Sequence, residues 1–383
     1  MDVHDRETLR KIEQNDVTMK KLCITFNSRV GSDYSRLGAS IGENTHLTRL
    51  EVHLGNEVTL NVTHTAFFDG LKRNSSIHEL ILNCRQQSIG CGVIREILKA
   101  YQANNNLTAL VIGNANASLE NEGEHVIATT LRRCTHLQKI GLYNCNIDDE
   151  QLFPMVEIVR GHASMEELWL RGNSIGNAGC SILATLLEDQ NSNLCTLDLT
   201  SIEVDNEGTT ILANSLANNA KLRNLYVGQR LAPLPQSVQD VFSRLLCNTS
   251  SVNQTYLSNH TLEKMKIPHG MSLTGPHLES LLELNMGHNK SHVAIKKILK
   301  YHPSINMAPL FEWNMEGEGE RDLKALPYVI AWFERAGEAV SGDEGGEESY
   351  NIDERKLTAI YQFAKAMPLM FVPVSHDKGG DNK

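Results

Sequence analysis

Apolar residues along the first two thirds of the chain recur in a frame whose first, fourth and sixth positions are aliphatic. The copies read Met19-Leu22-Ile24, Leu47-Leu50-Val52, Ile77-Leu80-Leu82, Leu107-Leu110-Ile112 and Leu137-Ile140-Leu142. They continue as Met165-Leu168-Leu170, Leu194-Leu197-Leu199, Leu222-Leu225-Val227 and a degraded Val252-Thr255-Leu257. The middle residues lie 28, 30, 30, 30, 28, 29, 28 and 30 positions apart. Chance does not hold such a period through nine copies, so the chain is a tandem array. The fourth and sixth positions alternate with polar neighbours, the period of a strand buried on one face. A polar turn follows, with Gly92, Gly123, Gly179 or Gly208 in it. Next comes a stripe at i, i+1, i+4, i+5: Val93/Ile94/Ile97/Leu98, Val126/Ile127/Leu131, Ile182/Leu183/Leu186/Leu187, Ile211/Leu212/Leu216. That spacing predicts a helix of about three turns with one buried face. Asn74, Asn104, Asn191 and Asn219 stand at or beside the helix ends, where a left-handed residue is expected.

One such strand–helix unit cannot bury its own apolar face. Stacking the units gives a parallel sheet inside and helices outside, and the wider helices curve the stack with strands on the concave side. The period, the L-x-x-L-x-L core and the turn Asn173-Ser174-Ile175-Gly176-Asn177-Ala178-Gly179 resemble leucine-rich repeats of the ribonuclease-inhibitor subtype. The resemblance spans about residues 16–260 and implies an α/β leucine-rich-repeat solenoid of about nine repeats over residues 1–260, with an α-helical cap behind it. It specifies fold far better than function, because this scaffold serves unrelated partners.

Side chains flanking the buried strand positions must face the concave surface. They form three columns, and the later repeats place Tyr143, Trp169, Tyr226 and Tyr256 there beside Lys139, Glu167, Arg171 and Asp198. Aromatic residues are only 5% of the chain, and Trp, Tyr and Arg are the usual anchors of protein interfaces. The candidate partner-binding set is therefore Tyr143, Glu167, Trp169, Arg171, Asp198, Tyr226 and Tyr256. The competing expectation is that strands favour aromatics anyway and that the C-terminal segment folds over them. Ile81, Ala109, Val111 and Gly113 form a second, small and apolar patch.

Beyond residue 260 the period is lost. Residues 260–275, with Pro268, Gly270 and Gly275, read as a connecting loop. The second region, 261–383, carries helical patterns at about 277–286, 291–302, 322–337 and 353–366, which read as the cap that a solenoid end needs. Ser341 to Ser349 is acidic and Gly-rich, the composition of a mobile loop, and 374–383 should fray. Segments such as Leu310-Phe311-Glu312-Trp313 and Leu326-Pro327-Tyr328-Val329-Ile330-Ala331-Trp332-Phe333 resemble the tail of leucine-rich-repeat proteins abundant in diatoms. That resemblance implies no activity.

The 383 residues carry 36 basic and 46 acidic side chains, a formal −10. Between Glu312 and Glu354 thirteen acids face only Arg321, Lys324 and Arg335, so this stretch holds the whole surplus. No basic patch offers phosphate neutralisation, which argues against nucleic acid. No apolar run approaches the roughly 20 residues of a membrane span. The polar N-terminus lacks a secretory pattern, so a soluble protein of the cytoplasm or nucleus is expected. Eight cysteines without a CxxC pair then read as free, mostly buried thiols. Asn-x-Ser/Thr triplets, such as those at Asn61, Asn74, Asn106, Asn116, Asn248, Asn253 and Asn259, belong to the Asn-rich repeat rather than to glycosylation.

There is no phosphate-binding Gly-x-x-x-x-Gly-Lys-Ser/Thr loop or His-Glu-x-x-His motif, and the two Gly-x-Ser-x-Gly matches, Gly38-Ala39-Ser40-Ile41-Gly42 and Gly172-Asn173-Ser174-Ile175-Gly176, belong to the repeat pattern. His288 and His292 have helical spacing, but no Cys or carboxylate set completes a metal site with them. No catalytic residue, metal, cofactor or small-molecule substrate is expected. The reading is a non-enzymatic scaffold that binds a protein on its concave face. The alternative is a small-GTPase regulator, since the Ran GTPase-activating proteins look similar, with a repeat crescent followed by acidic sequence. Here the acidic stretch is interrupted by helical patterns, and no functional residue carries over. A receptor sensor or ubiquitin-ligase adaptor would be expected to bring an F-box-like, nucleotide-binding or membrane segment, and none is seen.

Overall fold

A computed structural model describes residues 6–302 apart from 27–33, 56–59, 61, 85–90, 116–125, 203, 229–234, 266–274 and 288. It divides the chain into two compact units, one of residues 1–246 with 259–286 and one of 247–258 with 287–383.

The first unit is the repeat array. Eight strands form one parallel sheet in sequence order: β1 (Lys21–Phe26), β2 (Arg49–Leu54), β3 (Glu79–Cys84), β4 (Ala109–Gly113), β5 (Lys139–Tyr143), β6 (Glu167–Trp169), β7 (Thr196–Thr200) and β8 (Asn224–Gly228). Helices alternate with them: α1 (Arg6–Glu13), α2 (Tyr34–Glu43), α3 (Val62–Arg73), α4 (Cys91–Asn104), α5 (Val126–Arg133), α6 (Asp149–Arg160), α7 (Asn177–Glu188), α8 (Asn206–Ser215) and α9 (Gln236–Leu246). The middle residue of each frame pairs with its counterpart, from Leu22↔Leu50 through Leu197↔Leu225. All eight, Leu22, Leu50, Leu80, Leu110, Ile140, Leu168, Leu197 and Leu225, are at most 2% exposed. The period of the sequence is thus the register of the sheet, and a one-residue slip would turn the whole column to solvent.

The stripes face the core as the spacing predicts. Val93, Ile94, Ile97, Leu98, Val126, Ile127, Leu131, Leu183, Leu186, Leu187, Leu212 and Leu216 are all buried. Asp148 caps α6 in a reciprocal pair with Gln151, and Asp205 accepts from the Glu207 and Gly208 amides to cap α8. Each supplies an acceptor to amides the helix cannot satisfy itself.

Beside Asn104 the expected left-handed residue is present, Asn105 at φ 51°, but Asn74 and Asn219 work differently. Neither Asn74 nor Asn219 has a left-handed backbone; the left-handed residues include Asn114 (φ 55°), Asn144 (φ 49°) and Gly172 (φ 70°), in the turns that follow β4, β5 and β6. Asn74 and Asn219 instead act through their buried side chains. Asn74 Nδ2 donates to the carbonyls of Ile41 and Asn44, and its Oδ1 accepts from the Ser76 and Ile77 amides. Asn219 reaches Leu187 O and takes the Lys221 and Leu222 amides in the same way. Asn44 and Asn259 repeat the device, and Asn285 repeats its donor half, to the carbonyls of Asn259 and Leu262. Each joins one repeat's helix end to the next repeat's strand entry.

The ninth copy is not where the frame put it. Residues 252–256 form a short helix, α10 (Val252–Tyr256), and not a strand. The ladder resumes later: Lys264 bridges Asn224 in parallel, the Leu225 amide donates to Lys264 O at 2.9 Å, and Leu262 and Met265 are buried. Part of the expected loop at 260–275 therefore extends the sheet. Asn259 stands three residues before Leu262, as Asn219 stands before Leu222. The unit ends in α11 (Pro276–Asn285), which matches the helical pattern at 277–286.

In the second unit, α10 packs with α12 (Lys290–Tyr301), and Thr255 Oγ1 lies 2.7 Å from His302 Nε2. The helical patterns at 322–337 and 353–366, the acidic segment 341–349, the end 374–383, the tail segments at 310–333 and His288 lie outside the described residues. None of the seven described cysteines is in a disulfide; five are buried and two half-buried. No helix among the described residues is long and apolar enough to cross a membrane.

Candidate protein-binding face

The sheet face turned away from the helices carries the predicted columns in register. Gly141↔Trp169, Trp169↔Asp198 and Asp198↔Tyr226 form one row across β5 to β8. Tyr143 stands two residues beyond Gly141 on the same face. A Cβ at Gly141 would lie 3.3 Å from the Tyr143 ring, so the glycine gives the ring room to lean along the sheet. There it meets Trp169, with centroids 5.8 Å apart and planes tilted by 44°, within the range of favourable aromatic pairs.

Lys139 enters the cluster from the next row. Its Nζ lies 3.4 Å from the centroid of the Trp169 ring and 3.1 Å from Glu167 Oε2. One ammonium thus stacks on an indole and neutralises a carboxylate, two attractions strengthened by partial burial. The indole Nε1–H is buried and has no acceptor among the described residues.

Asp198 is buried, at 4% exposure, between the Trp169 and Tyr226 columns. Its Oδ1 accepts from the Thr200 amide at 2.9 Å and hydroxyl at 2.6 Å. Burial pushes both the Tyr143 and Tyr226 phenols above their ordinary range, and the negative charges of Asp198 and Glu167 push the same way; at Tyr143, Arg171 opposes them. Both tyrosines therefore stay protonated at physiological pH and keep a donor O–H.

Six of the seven sequence-derived residues, Tyr143, Glu167, Trp169, Arg171, Asp198 and Tyr226, belong to the repeat unit. Arg171 lies in the turn after β6, its carbonyl accepting from the Asn144 amide at 2.9 Å. Tyr256 does not join them. It ends α10 in the second unit and is 56% exposed. Lys139, whose contacts organise the cluster, stood in the sequence columns but was not singled out.

On earlier strands Ile81, Ala109 and Val111 are half-buried beside the buried Gly113. The first strands are charged: Lys21 pairs with Glu51 at 2.8 Å, Arg49 with Glu79 at 3.2 Å, and His53 with Glu51 at 3.1 Å.

No family model matches the chain. Ribonuclease inhibitor of Sus scrofa is 27% identical over 195 residues, 50% of this chain and 41% of its own length. The NACHT, LRR and PYD domains-containing protein 14 of Mus musculus is 26% identical over 235 residues, 59% of this chain and 22% of its own. A solved structure titled Leiomodin-1 Actin-Binding Site 2 is 25% identical and covers 36% of this chain and 77% of that one. Its TM-score is 0.28, too low to bear on the fold. The chain spans about two fifths of the ribonuclease inhibitors it matches. Period, in-register leucine column and sequence likeness together make the chain a leucine-rich-repeat protein of the ribonuclease-inhibitor-like subtype.

Proposed function

We propose that the chain is a non-enzymatic interaction scaffold whose open sheet face binds a protein through Tyr143, Glu167, Trp169, Arg171, Asp198 and Tyr226. The observation that carries this reading is the Trp169 environment. A half-buried indole is held between Tyr143 and Lys139, with its N–H lacking an acceptor among the described residues. A well-packed aromatic anchor held between a second ring and an ammonium is the kind of residue that carries a binding hot spot. Buried Asp198 and the protonated tyrosines give the surrounding polar contacts directional specificity. Tyr256 drops from the set because it ends a helix of the second unit and lies on no strand.

The test is affinity capture with the wild type and with a folded Trp169→Ala/Tyr226→Ala double variant. A protein retained by the first and lost by the second supports the reading. Equal retention by both would move the binding site off this face. One purified partner deserves direct titration first: the relative named ribonuclease inhibitor makes a ribonuclease the specific candidate.

A further inference from the structure

Cys23 on β1 pairs directly with Glu51 on β2, and His53 follows Glu51 by two residues. Cross-strand pairing and period 2 therefore put a thiol, a carboxylate and an imidazole on one face. Their sulfur, oxygen and nitrogen atoms all lie within 4.8 Å of one another, and His53 Nε2 is 3.1 Å from Glu51 Oε1. From these positions we propose that Cys23, Glu51 and His53 bind a divalent cation of the zinc class.

Zinc takes such ligands at about 2.0–2.3 Å in tetrahedral array, which sets them roughly 3.5 Å apart. The three groups need only a modest contraction around the ion. A sulfur and an imidazole together select zinc over the hard oxygen-seeking cations calcium and magnesium. Three protein ligands leave a fourth position for water or an incoming donor.

The surrounding charges are arranged to permit this. Lys21 lies 2.8 Å from Glu51 Oε2, the carboxylate oxygen that does not face His53. Lys21 can keep that bond while Oε1 ligates, orienting the carboxylate as outer-shell partners do. Arg49 points its charge to Glu79 at 3.2 Å. The competing interpretation is that Lys21, Glu51 and His53 form only a surface ion-pair relay, with Cys23 a bystander.

Cobalt(II) titration of the reduced full-length chain separates the two. The site predicts one ion per chain, a near-ultraviolet thiolate-to-cobalt charge-transfer band, visible bands of four-coordinate intensity, and displacement by zinc. Cys23→Ser should remove the charge-transfer band, whereas Cys195→Ser, which alters the other half-buried thiol, should keep it. His53→Ala should weaken zinc by at least the roughly 10- to 100-fold that loss of even an outer-shell partner costs. A wild type that shows no thiolate band overturns the proposal without reference to any variant's folding. A band that survives in Cys23→Ser, or zinc affinity unchanged in a folded His53→Ala, overturns it as well.

Discussion

Lys139 crosses from β5 to set its ammonium 3.4 Å from the centre of the Trp169 indole on β6, while keeping Glu167 at 3.1 Å. The contact runs diagonally, since the register partner of Lys139 is Glu167 and that of Trp169 is Gly141. It fixes the rotamer of the one tryptophan that the candidate face presents. Replacing Lys139 by Met keeps the aliphatic stem and removes the charge. A double-mutant cycle of Lys139→Met with Trp169→Leu should return a coupling energy of about 0.5–1 kcal/mol in urea unfolding. The single Lys139→Met variant should also shift Trp169 emission. A coupling near zero would mean that the ammonium is placed by Glu167 alone.

From a fully buried position the Asn74 side chain donates to two carbonyls of the previous repeat and accepts from the Ser76 and Ile77 amides and the Ser76 hydroxyl of its own. Asn74→Ala strands the Ser76 and Ile77 amides and takes one of two donors from each of the Ile41 and Asn44 carbonyls, and Asn74→Asp replaces the donors with an anion facing carbonyl oxygens. Each unmet buried group costs about 1–3 kcal/mol, so Asn74→Ala should lose at least about 2 kcal/mol and Asn74→Asp more. Because neighbouring repeats stabilise one another, the loss should show in hydrogen exchange of β2 and β3 before that of β7 and β8.

The strand positions of eight repeats were legible because one residue frame encodes both burial and register. The ninth was not, because residues 247–258 leave the repeat unit and break the spacing. Thr255 was selected by arithmetic, although Asn259 three places before Leu262 repeats the Asn219–Leu222 signature. The row Trp169, Asp198, Tyr226 followed from period 2. The roles of Gly141 and Lys139 did not, since the first depends on where the Tyr143 ring lies and the second on a rotamer chosen across strands. Asn74 and Asn219 were recognised by position but assigned to backbone conformation, when their side-chain amides do the joining; beside Asn104 the expected left-handed residue is Asn105.

Glycines in the helices separate into two kinds that the sequence does not distinguish. A Cβ built at Gly70 in α3 would sit 1.9 Å from the carbonyl oxygen of Gly38 in α2, whereas one at Gly92 in α4 meets nothing within 4 Å. Gly70→Ala must push two packed helices apart and should cost about 1–3 kcal/mol or more. Gly92→Ala lowers the entropy of the unfolded chain and should stabilise by up to about 1 kcal/mol. Thermal unfolding of the two variants should move in opposite directions.

Lys297 in α12 is fully buried, and burial draws its ammonium down from an ordinary 10.5 to about 7, with Lys290 acting the same way and Cys247 opposing. Above pH 7 the folded lysine is therefore mostly neutral, while the unfolded one stays charged until about 10.5. In that window the unfolded state binds more protons, so stability rises with pH. Below it both states are charged, and the burial penalty is carried in full. Lys297→Met removes this dependence, together with the Lys297 charge that draws the Cys247 thiol down. The stability of the wild type relative to the variant should thus climb as pH rises from 7, by no more than about 1.4 kcal/mol per pH unit. Hydrogen exchange of the α12 amides, corrected for intrinsic rates, reads the second unit separately from the repeats. A difference that stays flat with pH would show that Lys297 remains charged in the folded chain, held by a partner that offsets its burial.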